Sequence, residues 1–215
     1  MALKLVIFDL DGLMLDSERL NCQLYQEGCR ALGLTLDFDV FRRTIGCPDE
    51  DELELYRACY PGGDAAGLQA YIARRYSERF DKGDVPVKPG LFELFDAIDQ
   101  KGGIKKAVGT SRARAEAERV LRAKGVWDRL DGGAYADLVE HGKPAPDIFL
   151  KCCELFGVNP EDALVLEDSE AGILAAIRGK IPVIAVPDLI EPRPELLSRC
   201  RARCDSLLDV IRYIA

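Results

Sequence analysis

Residues Lys4-Leu5-Val6-Ile7-Phe8-Asp9-Leu10-Asp11-Gly12 constrain the fold more than any other stretch of this chain. An apolar, β-branched run with no polar alternation ends in two carboxylates and a glycine. Such a run predicts a strand buried on both faces, as in a parallel sheet. The carboxylates then stand where the strand leaves the sheet, and in open α/β sheets ligands bind in the crevice beyond those strand ends. Two acids this close repel each other unless a cation or a shared proton intervenes. A hard divalent ion with oxygen ligands, Mg2+, suits the pair. The same Asp-Gly also fits a plain turn, so the remainder of the chain has to decide.

After Gly12 the pattern changes to helical spacing. Leu20, Leu24, Tyr25, Cys29 and Leu32 predict a helix over 17–33, stopped by Gly33. Helices are also expected over 38–45, 49–59 and 65–80, with a turn at Pro61-Gly62-Gly63-Asp64. Strands and helices then alternate. Strands are expected at 104–109, 132–135, 163–166 and 182–186, and helices at 91–100, 112–124, 147–156, 171–178 and 206–214. Alternation of this kind implies βαβ units with right-handed crossovers and a parallel sheet. The expected architecture is an α/β core of residues 1–15 and 86–215, with an all-helical insert over 16–85.

Composition narrows the function classes. The chain has 215 residues and a formal net charge of −8. That balance disfavours a nucleic-acid partner, which needs a net basic surface, but leaves room for a small anionic substrate. No apolar run approaches the ~20 residues of a membrane span, and the first one stops at Asp9, which does not fit a signal peptide. The 8 cysteines contain no CxxC pair and stand beside a single histidine. They read as reduced thiols of a cytoplasmic protein rather than a zinc site.

Four candidate sites fall at or just after expected strand ends: Asp9 with Asp11, Thr110 with Ser111, Lys143, and Glu167 with Asp168. Together they supply carboxylates for a metal, hydroxyl and amide donors for an anion, and a fixed cation, which suits phosphoryl transfer. Asp9 can serve as nucleophile or as a simple metal ligand. Asp11 can serve as acid and base, or as a turn former. Thr110 can contact phosphate or cap the next helix. Lys143 can neutralise phosphoryl oxygens or be solvated, and Glu167-Asp168 can bind metal or open a helix. Arg112 reads as a rim cation or a helix-surface arginine. His141 reads as an exposed loop residue or one that faces the substrate, Arg42 and Arg43 as an exposed face or a contact for an acidic substrate, and Trp127 as core packing.

The ordered set Asp9-Leu10-Asp11-Gly12, Thr110-Ser111, Lys143-Pro144 and Glu167-Asp168-Ser169 resembles the haloacid dehalogenase superfamily. The segments Lys143-Pro144-Ala145-Pro146-Asp147-Ile148-Phe149 and Leu166-Glu167-Asp168-Ser169-Glu170-Ala171-Gly172-Ile173 are similar to its β-phosphoglucomutase-like branch. The resemblance implies a Rossmann-like core with a helical cap. It implies Mg2+ held by the Asp9 side chain, the Asp11 main-chain carbonyl and Asp168, with Glu167 in support. It further implies that Asp9 attacks phosphorus, that Asp11 is the acid/base, and that Thr110 and Lys143 hold the phosphoryl group.

Departures from the family narrow the activity. Dehalogenases of the superfamily lack the second acid, and no lysine here fits the cap lysine of its phosphonatases. Phosphatase and phosphomutase remain. The mutase has a histidine that holds its acid/base where this chain has Asn21, which with Ser111 and Arg112 is a candidate substrate contact. The mutase also has a cap arginine for the distal phosphate; the similar stretch Gly46-Cys47-Pro48-Asp49-Glu50-Asp51 places Asp49 there. A carboxylate repels a second phosphate, with a sign worth kilocalories at short range. The expected activity is therefore a Mg2+-dependent phosphomonoesterase acting, as a monomer, on a small phosphorylated metabolite such as a sugar phosphate. A β-phosphoglucomutase-like mutase is the alternative. Hinges are expected near 15–17 and 85–88, with closure excluding water.

Overall fold

In the computed structural model, which describes residues 2–45 and 49–214 and Asp49 by its backbone alone, the apolar N-terminal run is the strand β1 (Leu5–Phe8), buried throughout. It is followed by α1 (Ser17–Ala31), α2 (Phe38–Thr44), α3 (Asp49–Cys59) and α4 (Ala65–Asp81). The chain continues as α5 (Leu91–Lys101), β2 (Lys105–Gly109), α6 (Arg114–Ala123), β3 (Gly132–Ala134), α7 (Asp147–Phe156) and β4 (Ala163–Glu167). It ends with α8 (Glu170–Arg178), β5 (Val183–Ala185), α9 (Pro194–Leu197), β6 (Ala202–Arg203) and α10 (Leu207–Ile214). These elements form two compact units, residues 1–16 with 86–215, and residues 17–85.

The first unit is the expected parallel α/β fold. Its sheet has the order β3-β2-β1-β4-β5-β6, and every pairing is parallel. β1 lies between β2 and β4, with Phe8 in register with Val108 and Leu166. Alternation along the strand sends Leu5 and Ile7 to one face, where they join Ile148, Phe149 and Cys152 of α7 and Ile173 and Ala176 of α8. Phe8 packs on the opposite face, edge-on to Phe95 of α5 at 5.2 Å between ring centres. Each such side chain contributes about 1.5–3 kcal/mol by leaving water.

The parallel arrangement collects the strand C-termini at one edge. There β1 runs into a tight loop in which Leu10 O accepts from the N–H groups of Met14 and Leu15 at 3.0 and 2.9 Å. Gly12 sits in this loop at φ +82°, a conformation that a side chain resists. The loop ends beside the segment that returns from residue 86. Asp16 N donates to Pro86 O at 2.8 Å, Lys88 N donates to Met14 O at 2.9 Å, and Leu15 bridges Val87 antiparallel.

Among its described residues the second unit has helices α1–α4 joined by turns and loops, and no strand. α1 packs on α4 at Gly28, where a Cβ would meet Leu68 Cδ1 at 2.8 Å. Its interior carries an aromatic cluster. Tyr25 stacks on Tyr56 at 6.1 Å, donates its hydroxyl to Asp37 O at 2.7 Å and pairs with the Tyr60 hydroxyl.

Several sequence expectations change in detail. The helix expected from Arg112 begins at Arg114, with Ala113 at its N-cap and no side chain capping it. Thr110 therefore does not cap α6. β6 and α9 had no counterpart in the sequence reading, because two- and four-residue elements are too short for a period to show. Trp127 is not in the core; it is half-buried, with the Arg122 guanidinium 4.9 Å from its ring centre. Residues 46–48 and the Asp49 side chain, where a distal phosphate would be repelled, lie outside the described residues. No helix among the described residues is long and apolar enough to cross a membrane, and the described cysteines are all free thiols.

Candidate active site

Asp9 is the first residue beyond β1. Its N–H continues the ladder to Leu166 O at 3.1 Å, and its carboxylate is buried, with 7% of the residue exposed. The loop before α7 brings Lys143 to it, and the Lys143 ammonium pairs with Asp9 Oδ1. The same ammonium donates to Glu167 Oε1 at 2.6 Å and lies 4.8 Å from the Phe149 ring centre. Glu167 ends β4 and is completely buried. Its other oxygen accepts from Ser169 N and Ser169 Oγ at 2.8 and 2.9 Å. Ser169 also caps α8 by accepting from Gly172 N.

Asp168 completes the cluster. Single oxygens of Asp9, Glu167 and Asp168 all lie within 4.8 Å of one another. Two glycines make this approach feasible, and the sequence reading had assigned neither of them a role at the site. A Cβ on Gly12 would stand 2.0 Å from Asp168 Oδ2, and one on Gly172 would stand 1.7 Å from Glu167 Oε1. The hint in the sequence was position alone: Gly12 directly follows Asp11, and Gly172 lies one helical turn past Asp168.

The charges do not balance within the cluster. Lys143 is held protonated: burial opposes its charge, but the carboxylates of Asp9 and Glu167 outweigh burial and raise its pKa. One ammonium then faces three carboxylates. Burial, aided by the negative charges of Glu167 and Asp11 and opposed by Lys143, pushes the Asp9 carboxyl up to about 7. This excess of buried negative charge, on oxygen donors only, fits a hard divalent cation.

The remaining candidates are placed as follows. Thr110 is the first residue beyond β2, is 1% exposed, and its Oγ1 accepts from Arg112 N at 3.1 Å. Arg112 is turned onto Asp11, donating from Nε to Oδ2 at 2.6 Å and from Nη2 to Oδ1 at 3.0 Å. Ser111 is exposed and lines a small hollow with Glu140 and Gly142. His141 is exposed and 3.2 Å from Asp147. Asn21 lies on α1, and Arg42 and Arg43 on α2, all in the helical unit.

Known proteins are similar to this chain in sequence and in fold. Residues 6–186 match the family described as haloacid dehalogenase-like hydrolase. A phosphorylated carbohydrates phosphatase of Thermotoga maritima is 32% identical over 173 residues, covering 80% of this chain and 79% of its own. Fructose-1-phosphate phosphatase YqaB of Escherichia coli is 33% identical over 176 residues, covering 80% and 89%. A crystal structure from Thermotoga maritima, provisionally named a beta-phosphoglucomutase, superposes with a TM-score of 0.80 at 27% identity, covering 99% of this chain and 100% of that one. With the family match spanning most of its length and curated phosphatases among its relatives, this chain belongs to the haloacid dehalogenase-like hydrolases.

Proposed function

We propose that this protein is a Mg2+-dependent phosphomonoesterase that hydrolyses a small phosphorylated metabolite, a sugar phosphate by analogy with its named relatives. The observation that carries the reading is the convergence on Asp9. A buried carboxylate at the end of β1 meets a cation from one segment and two further carboxylates from another. Asp9, the Asp11 main-chain carbonyl and Asp168 would hold the metal, with Glu167 in support. Bound Mg2+ supplies positive charge against the carboxylates and the phosphoryl oxygens.

The chain's own groups divide the chemistry between them. An Asp9 carboxylate oxygen attacks phosphorus, the bond from phosphorus to the leaving oxygen breaks, and Asp11 gives that oxygen its proton. The product alcohol departs and Asp9 carries the phosphoryl group. Water then attacks phosphorus, Asp11 takes the water's proton, and the Asp9–phosphorus bond breaks to release inorganic phosphate. Lys143 neutralises charge on the phosphoryl oxygens from a fixed position, which is the largest kind of help an enzyme gives such a reaction. Thr110, oriented by Arg112 N, donates its hydroxyl hydrogen to one of those oxygens. We assign substrate selection to the helical unit, with Asn21 and the exposed Ser111 as contacts. All these groups come from one chain, so a monomer suffices.

The mutase reading rests on the structural neighbour named above and on the shared core. A mutase must rebind a bisphosphate, and Asp49 stands in the sequence where the mutase carries a cationic grip. The two readings separate by product. With Mg2+ and a panel of sugar phosphates, release of inorganic phosphate supports hydrolysis. Glucose 6-phosphate formed from β-glucose 1-phosphate, without net phosphate release, would replace that reading with the mutase. Loss of turnover in D9N tests the nucleophile in either case.

A further inference from the structure

Arg112 makes the most specific contact that the reading above does not use. Its guanidinium meets Asp11 as a fork, Nε to Oδ2 at 2.6 Å and Nη2 to Oδ1 at 3.0 Å, so both oxygens of the carboxylate are engaged. The arginine is itself held at both ends of its peptide. Its N–H donates to Thr110 Oγ1 at 3.1 Å, and its carbonyl accepts from Ala136 N at 2.9 Å. α6 begins only at Arg114, so Arg112 belongs to the site loop and not to a helix surface. Its Nη1 has Glu116 at 3.8 Å on the far side. Planar two-point pairing of this kind fixes a carboxylate in orientation as well as position.

We propose that Arg112 is the positioning residue of the acid/base: it aims Asp11 toward the leaving oxygen, and turnover requires the fork to give up Oδ1 while keeping Oδ2. The inference rests on Asp11 being the acid/base. A carboxyl that passes a proton to a leaving oxygen must present one of its own oxygens to the substrate, and here both are turned to the guanidinium. The Nη2–Oδ1 contact is the longer of the two, while the shorter Nε–Oδ2 contact keeps the side chain tethered. The cycle balances. Oδ1 carries the proton to the leaving oxygen as its bond to phosphorus breaks, the fork closes on the carboxylate, and the proton from attacking water reopens it.

The test is how the loss depends on the leaving group. A p-nitrophenolate departs without a proton, whereas phenolate needs one far more. The variants D11N, R112A, R112K and R112A/D11N are assayed on p-nitrophenyl phosphate and phenyl phosphate with saturating Mg2+, with circular dichroism to check the fold. D11N is expected to lose about 100-fold or more on phenyl phosphate and much less on p-nitrophenyl phosphate. R112A is expected to repeat that contrast at about one-tenth of its size, in kcat rather than KM. R112K, with one point of contact, restores part of the loss, and R112A adds nothing once Asp11 is gone. Equal losses of R112A on both substrates, a pure KM effect, or a full additional loss in the D11N background would overturn the proposal while leaving Asp11 in its role. A D11N variant with no leaving-group contrast removes the acid/base reading itself, and the proposal with it.

Discussion

Gly12 lies so close to Asp168 that a Cβ on it would stand 2.0 Å from Oδ2. The two residues belong to strand ends 156 positions apart in sequence, and the lack of a side chain on one sets the position of the carboxylate on the other. Gly12 also sits at φ +82°. G12A therefore strains the backbone and displaces the Asp168 carboxylate at once. The expected result is a loss of about 10–100-fold in Mg2+ affinity, read by titrating activity with Mg2+. An unchanged Mg2+ requirement in a folded G12A variant would show that Asp168 does not hold the ion.

Removing the ion has its own signature. Chelation is expected to abolish phosphate release, and added Mg2+ to restore it. An ion that binds only the folded cluster, at a hundredfold excess over its Kd, is expected to stabilise by about 2.7 kcal/mol. For a chain of this size that is a rise in Tm of roughly 5–10 °C, measurable by calorimetry. A Tm that does not move with Mg2+ would count against the cluster as a metal site.

Lys143 separates buried charges that have no other cation among the contacts described for them. K143A leaves Asp9 and Glu167 without the ammonium, and breaking a buried pair from one side costs about 3–5 kcal/mol. The variant is expected to lose turnover and, without Mg2+, to unfold at markedly lower denaturant. Chemical denaturation of the metal-free protein, with m unchanged, gives the number.

D9N acts in the opposite sense. It removes one of the carboxylates crowding a single ammonium, and the new amide oxygen can still accept from Lys143. Metal-free D9N should melt at or above the temperature of the metal-free parent, lose turnover, and gain little from Mg2+. This is the expected trade of stability against a strained, charged site. A large fall in the metal-free Tm would contradict the charge excess argued for the cluster.

The helical unit has a local test. Tyr25 ties Asp37 O and the Tyr60 hydroxyl together. Y25F leaves the Asp37 carbonyl and the buried Tyr60 hydroxyl each short of a partner, at a cost of about 1–3 kcal/mol. Hydrogen exchange should quicken in α1 and α4 and stay unchanged in β1 and β4.

The fold was legible where residue type repeats itself. The run Leu5–Phe8 and the strand Ala163–Glu167 announce buried parallel strands, and Asp9, Lys143 and Glu167 then fall at one sheet edge by topology. What could not be read has a common cause, since it depends on pairs of residues distant in sequence. Arg112 reads as an ordinary helical arginine until Asp11, 101 residues earlier, is seen against it. Thr110 looks like a helix cap because threonine often is one; only the loop bound to Ala136 shows that the helix starts later. Gly172 is a weak helix former in a helix, and only the buried Glu167 beneath it explains why.

The chain leaves the α/β unit just past Leu15 and rejoins it just before Val87, and these two residues face each other in an antiparallel bridge. Exit and return thus share one doorway, a few ångströms wide. Insertions and exchanges between these two residues are therefore expected to be tolerated by β1 and its neighbours. The prediction is a plug-in architecture: a short glycine–serine turn joining the two sides of the doorway should leave the sheet folded, and a foreign helical insert spliced there should alter which phosphate ester is accepted without touching the machinery that cleaves it.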